Sequence, residues 1–226
     1  MKNLFIFCLL LISFQAGAQF KLLANNSSDQ YKAKIFVAEC ENGICGGKAT
    51  IILYDKISAK ELETFHSPDL DFSLTSTQDA KIGWLDLGKY QSPLIFGDFN
   101  FDGNEDLAIR NGSKGIYMSP SYDIYLATNN KFLLSKELTK LASENLGMFG
   151  IDKKNKLLSV EQKNGCCYQQ TISYRVDKKN VLAEVSSVIE DSSIGDDVTV
   201  ITTKLVNGKT QRTVQKYKTK DYYSEN

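Results

Sequence analysis

The chain is poor in the residues on which much chemistry depends: its 226 residues include 1 histidine, 1 tryptophan, 3 prolines and 5 cysteines. With one histidine, any Ser-His-Asp or Cys-His arrangement has to use His66, and no nucleophile elbow is present. His66 lies between Phe65 and Pro68 and reads as a polar loop residue. A glycosidase-type carboxylate pair needs two acids roughly 5 to 10 Å apart, and no pair stands out from the other acids. The chain therefore reads as a non-enzyme. Zinc is disfavoured by the same single histidine and by the lack of C-x-x-C spacing. An excess of one charge is missing too. Lys+Arg 27 against Asp+Glu 27 supplies no basic surplus for phosphates, which excludes nucleic acid as the expected partner. Beyond the first residues no apolar run approaches the length of a membrane-spanning helix, so membrane insertion is not expected.

What is present begins with an export signal. Lys2 gives a positive start, Leu4 to Phe14 an apolar core too short to span a bilayer, and Ala16-Gly17-Ala18 an A-x-A cleavage site. Residues 1–18 are read as a signal peptide and residues 19–226 as one β-rich domain, periplasmic or secreted. Cys8 sits inside the apolar segment and leaves with it.

The remainder reads as short strands punctuated by turns. Tyr31 to Glu39 and Lys48 to Tyr54 flank the hairpin signal Asn42-Gly43, and Val198 to Val206 and Thr210 to Tyr217 flank Asn207-Gly208. Leu94 to Phe96, Asp106 to Arg110, Tyr122 to Ala127, Lys156 to Glu161 and Tyr168 to Val176 continue the pattern. One helix is expected, from an N-cap at Ser135 through Leu138 and Leu141 to Gly147. The fold class is all-β, with antiparallel sheets in a sandwich or a partly closed barrel and one short helix.

Four cysteines remain in an exported chain, and four allow three pairings. A hairpin centred on Asn42-Gly43 sets Cys40 opposite Cys45, within disulfide reach. Cys166 and Cys167 are adjacent and would point to opposite faces of a strand. They are read either as a vicinal ring or as free thiols.

The most distinctive run is Gly97 to Ile109, GDFNFDGNEDLAI. Asp98, Asn100, Asp102 and Asp106 offer side-chain oxygens at alternate spacing, and Asn104 would add its main-chain carbonyl. Gly103 allows the left-handed backbone that wraps an ion. Ile109 occupies the place where an EF-hand has its bidentate glutamate, so the expected geometry is strand, loop, strand around a structural calcium. A metal-free turn held by Asp and Asn side chains is the alternative.

After this loop comes Asn111 to Tyr122, rich in glycine, serine and tyrosine around Pro120. It reads equally as a binding loop or as an ordinary connection whose Tyr122 and Tyr125 enter the core.

Four motifs in order, GDFNFDG at Gly97 to Gly103, PSYDIY at Pro120 to Tyr125, ENLGMF at Glu144 to Phe149 and GCC at Gly165 to Cys167, resemble a family of bacterial cell-envelope proteins. That family contains immunity proteins that neutralise lysozyme-like effectors delivered by type IV secretion, related in shape to periplasmic lysozyme inhibitors. The resemblance spans Ser92 to Val176. It implies a calcium-stabilised β-rich inhibitor whose loop enters the cleft of a peptidoglycan glycosidase, with Ser119, Ser121 and Tyr122 at the tip and Tyr117 alongside. Their hydroxyls suit the target's carboxylates, and a tyrosine ring suits a sugar subsite. Where the family has a glycine pair before Pro-Ser-Tyr, this chain has Met118-Ser119, and it has no lipobox. A calcium-dependent module that binds envelope glycans or a partner protein, without inhibition, is the competing reading.

Overall fold

Alternating apolar residues and evenly spaced turns build three antiparallel sheets one after another along the chain. A computed structural model describes residues 20–25, 28–74, 92–129 and 131–224; the expected signal peptide lies outside them. The first sheet comprises β1 (Phe20–Ala24), β2 (Tyr31–Glu41), β3 (Ile44–Asp55) and β4 (Glu61–Ser67), with β5 (Phe72–Ser73) also pairing β3. The second is a meander of β6 (Leu94–Gly97), β7 (Asp106–Gly112), β8 (Ser121–Thr128) and β9 (Lys131–Leu134). The third runs through β10 (Gly150–Asp152), β11 (Leu157–Asn164), β12 (Tyr168–Val176), β13 (Leu182–Asp191), β14 (Asp197–Val206) and β15 (Lys209–Lys218) in sequence order. The sheets stack as a sandwich and do not close into a barrel.

The second sheet is the middle layer, and its residue pattern explains why. Leu94, Phe96, Leu107 and Ile109 face a core shared with Ile35, Ile51, Leu53 and Phe65 of the first sheet. Their chain neighbours Ile95 and Ala108, with Tyr122 and Ile124, face a second core shared with Leu158, Val160 and Ile172 of the third sheet. With both faces covered, β7 is buried along its whole length, hence the uninterrupted run Leu107-Ala108-Ile109. Aromatic rings stitch the first core: Phe65 meets Tyr125 at 4.7 Å and Tyr31 meets Phe132 at 5.4 Å, both edge to face.

The helix α1 is shorter than expected, spanning Lys136–Leu141 after the Ser135 cap. Asn145 Nδ2 donates to the Leu141 carbonyl at 2.8 Å and ends it there. A second helical turn, α2 (Thr219–Tyr222), follows β15. His66 lies on β4, not in a loop; it is solvent-exposed, with Nδ1 3.3 Å from Thr50 Oγ1 on β3.

Both cysteine pairs are bonded. Cys40 joins Cys45 across the β2–β3 hairpin, where the two are register partners. Of the two readings of Cys166 and Cys167, the vicinal ring is the one found.

Candidate functional site

The acidic loop and the tyrosine-bearing tip lie at opposite ends of β7. Asp106 begins that strand and Gly112 ends it, a span of roughly 20 Å at about 3.4 Å per residue. The loop therefore cannot touch the tip and can act on it only through the strand that joins them.

Within the loop, the carboxylates of Asp98 and Asp102 are engaged by the loop's own amides and by Asn100. Asp98 Oδ1 accepts from Asp102 N at 3.0 Å and Oδ2 from Gly103 N at 3.0 Å. Asp102 Oδ1 accepts from Asn104 N at 2.8 Å, while Oδ2 accepts from Asn100 Nδ2 at 3.0 Å. Two left-handed residues, Phe101 and Gly103, bend the chain around these acceptors. Asp106 is different in kind, being buried to 0% exposure, with Oδ2 accepting from Phe99 N at 2.7 Å and Oδ1 from Ala127 N at 2.8 Å. Burial pushes its carboxyl up to about 7, the two amides pull against that, and the Asp102 and Asp98 charges add to the rise.

The donor chemistry fits a hard cation. Asp98, Asn100, Asp102 and Asp106 with the Asn104 carbonyl are all oxygen ligands, and a carboxylate oxygen that accepts one amide keeps a further lone pair. As placed, however, no three His, Cys, Asp or Glu side chains among the described residues are grouped to hold a metal.

At the tip, the four residues expected to contact a target separate into two pairs. Tyr117 is 64% exposed, and Ser119 is half-buried beside it. Ser121 and Tyr122 are both fully buried, which removes them from any contact surface. The cause is local pairing: Ser121 Oγ donates to Asn111 Oδ1 at 2.6 Å, and Asn111 Nδ2 donates to Asp123 Oδ1 at 2.6 Å. Tyr122 is a core residue of the second cluster whose hydroxyl donates to the Ser92 carbonyl at 3.2 Å. Burial holds that phenol well above its ordinary range, so it stays neutral.

What does project is the turn Ile116–Met118, with Met118 79% exposed. Tyr117 and Met118 both adopt left-handed backbone, at φ 54 and φ 59, so Met118 holds the conformation a glycine at that position would take freely. The turn is pinned at its base. Ile116 N and Ser119 Oγ both donate to the Asn145 carbonyl, at 3.0 and 2.9 Å. Gly115 is compulsory there, because a Cβ would lie 2.3 Å from Ser119 Oγ and 2.5 Å from Asn145 O. At the outer end, Tyr117 Oη accepts from Gly165 N at 2.7 Å.

Asn145 and Gly165 are thus site residues that side-chain chemistry alone did not single out. Their signal is the place of ENLGMF and GCC in the motif order, since Asn145 and Gly165 each hydrogen-bond the turn that precedes PSYDIY.

No protein-family model and no curated protein matches the chain. Among solved structures, one described as a Xanthomonas type IV secretion system related protein superposes with a TM-score of 0.65 at 17% identity, covering 88% of this chain and 94% of that one. At that identity the likeness establishes a shared fold.

Proposed function

We propose that this chain is an exported inhibitor of a lysozyme-like peptidoglycan glycosidase, with Tyr117 and Met118 as the contact edge. The observation that carries this reading is the pinned, left-handed turn that lifts a tyrosine and a methionine side by side out of the β-fold. A rigid aromatic tip loses little conformational freedom on binding, which favours affinity per residue. The Tyr117 oxygen accepts the Gly165 amide and keeps its own proton to donate. Such a phenol suits a glycosidase cleft, where carboxylates accept hydrogen bonds and sugar subsites accept rings. No reaction by the inhibitor is required.

The four-motif resemblance and the fold shared with a type IV secretion related protein support this reading. Calcium belongs to the same proposal: Asp98, Asn100, Asp102, Asp106 and the Asn104 carbonyl would hold the ion, which would stiffen the far end of β7.

The test is a turbidity assay of cell-wall lysis with a panel of lysozyme-type muramidases. Stoichiometric loss of lysis by the wild type and its relief in Tyr117→Ala support inhibition. Retention on isolated peptidoglycan with no effect on any hydrolase would instead favour a glycan-binding module.

A further inference from the structure

Cys166 and Cys167 form the turn that follows Gly165, inside the three-residue connection between the paired residues Asn164 and Tyr168. Neighbouring strand residues ordinarily point to opposite faces; the bond instead draws both sulfurs into one small ring and fixes the backbone from Gly165 to Cys167. That backbone reaches out in two directions. Gly165 N donates to the Tyr117 hydroxyl at 2.7 Å. The Cys167 carbonyl accepts from Ser192 N at 2.8 Å and Ser192 Oγ at 3.3 Å, anchoring the turn to the β13–β14 connection. The ring is therefore the link between an exposed phenol and the third sheet.

We propose that the Cys166–Cys167 ring is a redox-controlled positioning element for Tyr117. Closed, it holds Gly165 against the phenol; opened, it lets the turn relax and frees the tip. This rests on the reading of Tyr117 and Met118 as the contact edge. Access decides which disulfide exchanges. Cys166 is exposed and Cys167 half-buried, whereas in the other bridge Cys45 is fully buried.

The exchange needs a dithiol, such as a C-x-x-C protein of the cell envelope. One thiolate attacks a ring sulfur and forms a mixed disulfide, and the second thiol of the reductant displaces it. Two electrons and two protons pass to Cys166 and Cys167, and the reductant leaves as a disulfide. Both thiols stay on one turn, so reclosure is intramolecular and the element is reversible.

The experiment uses the mature chain and stepped dithiothreitol, with alkylation mapped by mass spectrometry, Gly165 amide exchange by NMR, and chymotryptic cleavage after Tyr117. Cys166 and Cys167 should alkylate before Cys40 and Cys45. Cleavage and Gly165 exchange should then rise roughly fivefold to tenfold, as for the loss of one net hydrogen bond. Tyr117→Phe should speed Gly165 exchange with the ring closed, because it removes the acceptor and leaves the fold alone. The double variant Cys166→Ser with Cys167→Ser should match the reduced wild type. If that variant fails to fold, the reduced wild type with an unchanged far-ultraviolet spectrum carries the comparison.

Equal exchange and cleavage in the oxidised and reduced chains would overturn the proposal, as would earlier opening of Cys40–Cys45 or loss of the β-spectrum on ring opening. None of these readouts contains a hydrolase. A failed inhibition assay would strike the proposed function while leaving the ring's control of Tyr117 standing.

Discussion

Asp106 Oδ1 accepts the backbone amide of Ala127 at 2.8 Å, so the first residue of β7 holds the outgoing end of β8. Its other oxygen closes the acidic loop through Phe99 N. One buried carboxylate thus fastens loop and sheet together. Asp106→Ala would leave two buried amides unpaired at about 1 to 3 kcal/mol each. A loss of roughly 2 to 6 kcal/mol is expected in urea unfolding. Asp106→Asn, which keeps one acceptor, should lose about half. A variant as stable as wild type would show that the clamp carries no load.

The same residue sets an expected pH dependence. Its folded carboxyl titrates at about 7, above the roughly 3.9 of an unfolded aspartate. Between those values the folded chain holds a proton that the unfolded chain releases, so this group's stabilisation is present at low pH and lost as pH rises toward 7. Melting in chelator should therefore fall from pH 5 to pH 8, by an amount of the order of a few kcal/mol. Asp106→Asn should flatten that slope. A melting temperature that climbs across the window would refute the assignment.

Calcium should reverse this penalty, since a bound cation favours the ionised carboxylates. A ligand that binds only the folded state adds about 2.7 kcal/mol at a hundredfold excess over its dissociation constant. Thermal melts in millimolar calcium and in chelator should differ accordingly, and Asp102→Ala should erase the difference. Superimposable curves for the wild type would take the metal out of the account.

Tyrosines 117 and 122 should separate in mutagenesis. Tyr122→Phe deletes the hydrogen bond to Ser92 and should cost about 1 kcal/mol of stability with no change in hydrolase inhibition. Tyr117→Ala removes a largely exposed ring together with the acceptor of the Gly165 amide, so stability should fall by no more than about 1 kcal/mol. Its inhibition constant should rise at least roughly tenfold, as for an interface anchor. The reverse pattern would mean that the edge lies elsewhere.

The parts of this molecule that were legible beforehand are those coded by neighbours in the chain. Asn42-Gly43 and Asn207-Gly208 demand left-handed backbone, and both hairpins form where they stand, with Cys40 opposite Cys45. Leu107-Ala108-Ile109 read as a buried strand because both faces are covered. Ser121 and Tyr122 were the opposite case: a serine and a tyrosine beside a proline have the chemistry of a contact loop. Their partners Asn111 and Ser92 lie 10 and 30 residues away, and no local pattern announces them. β13, with Ser187 its one buried residue, carried too little apolar alternation to be recognised. His66 reads as a loop residue because its strand is short and mostly polar.

The middle sheet can shed water on both sides only when the sheets before and after it in the chain are in place. Truncation ahead of Gly150 would leave Ile95, Ala108 and Ile124 without the third layer, as a sticky surface prone to self-association. During synthesis, that face is covered only in part, by α1 and the segment after it, until the last six strands arrive. A nascent chain that carries such a face has a physical reason to recruit a chaperone during that interval.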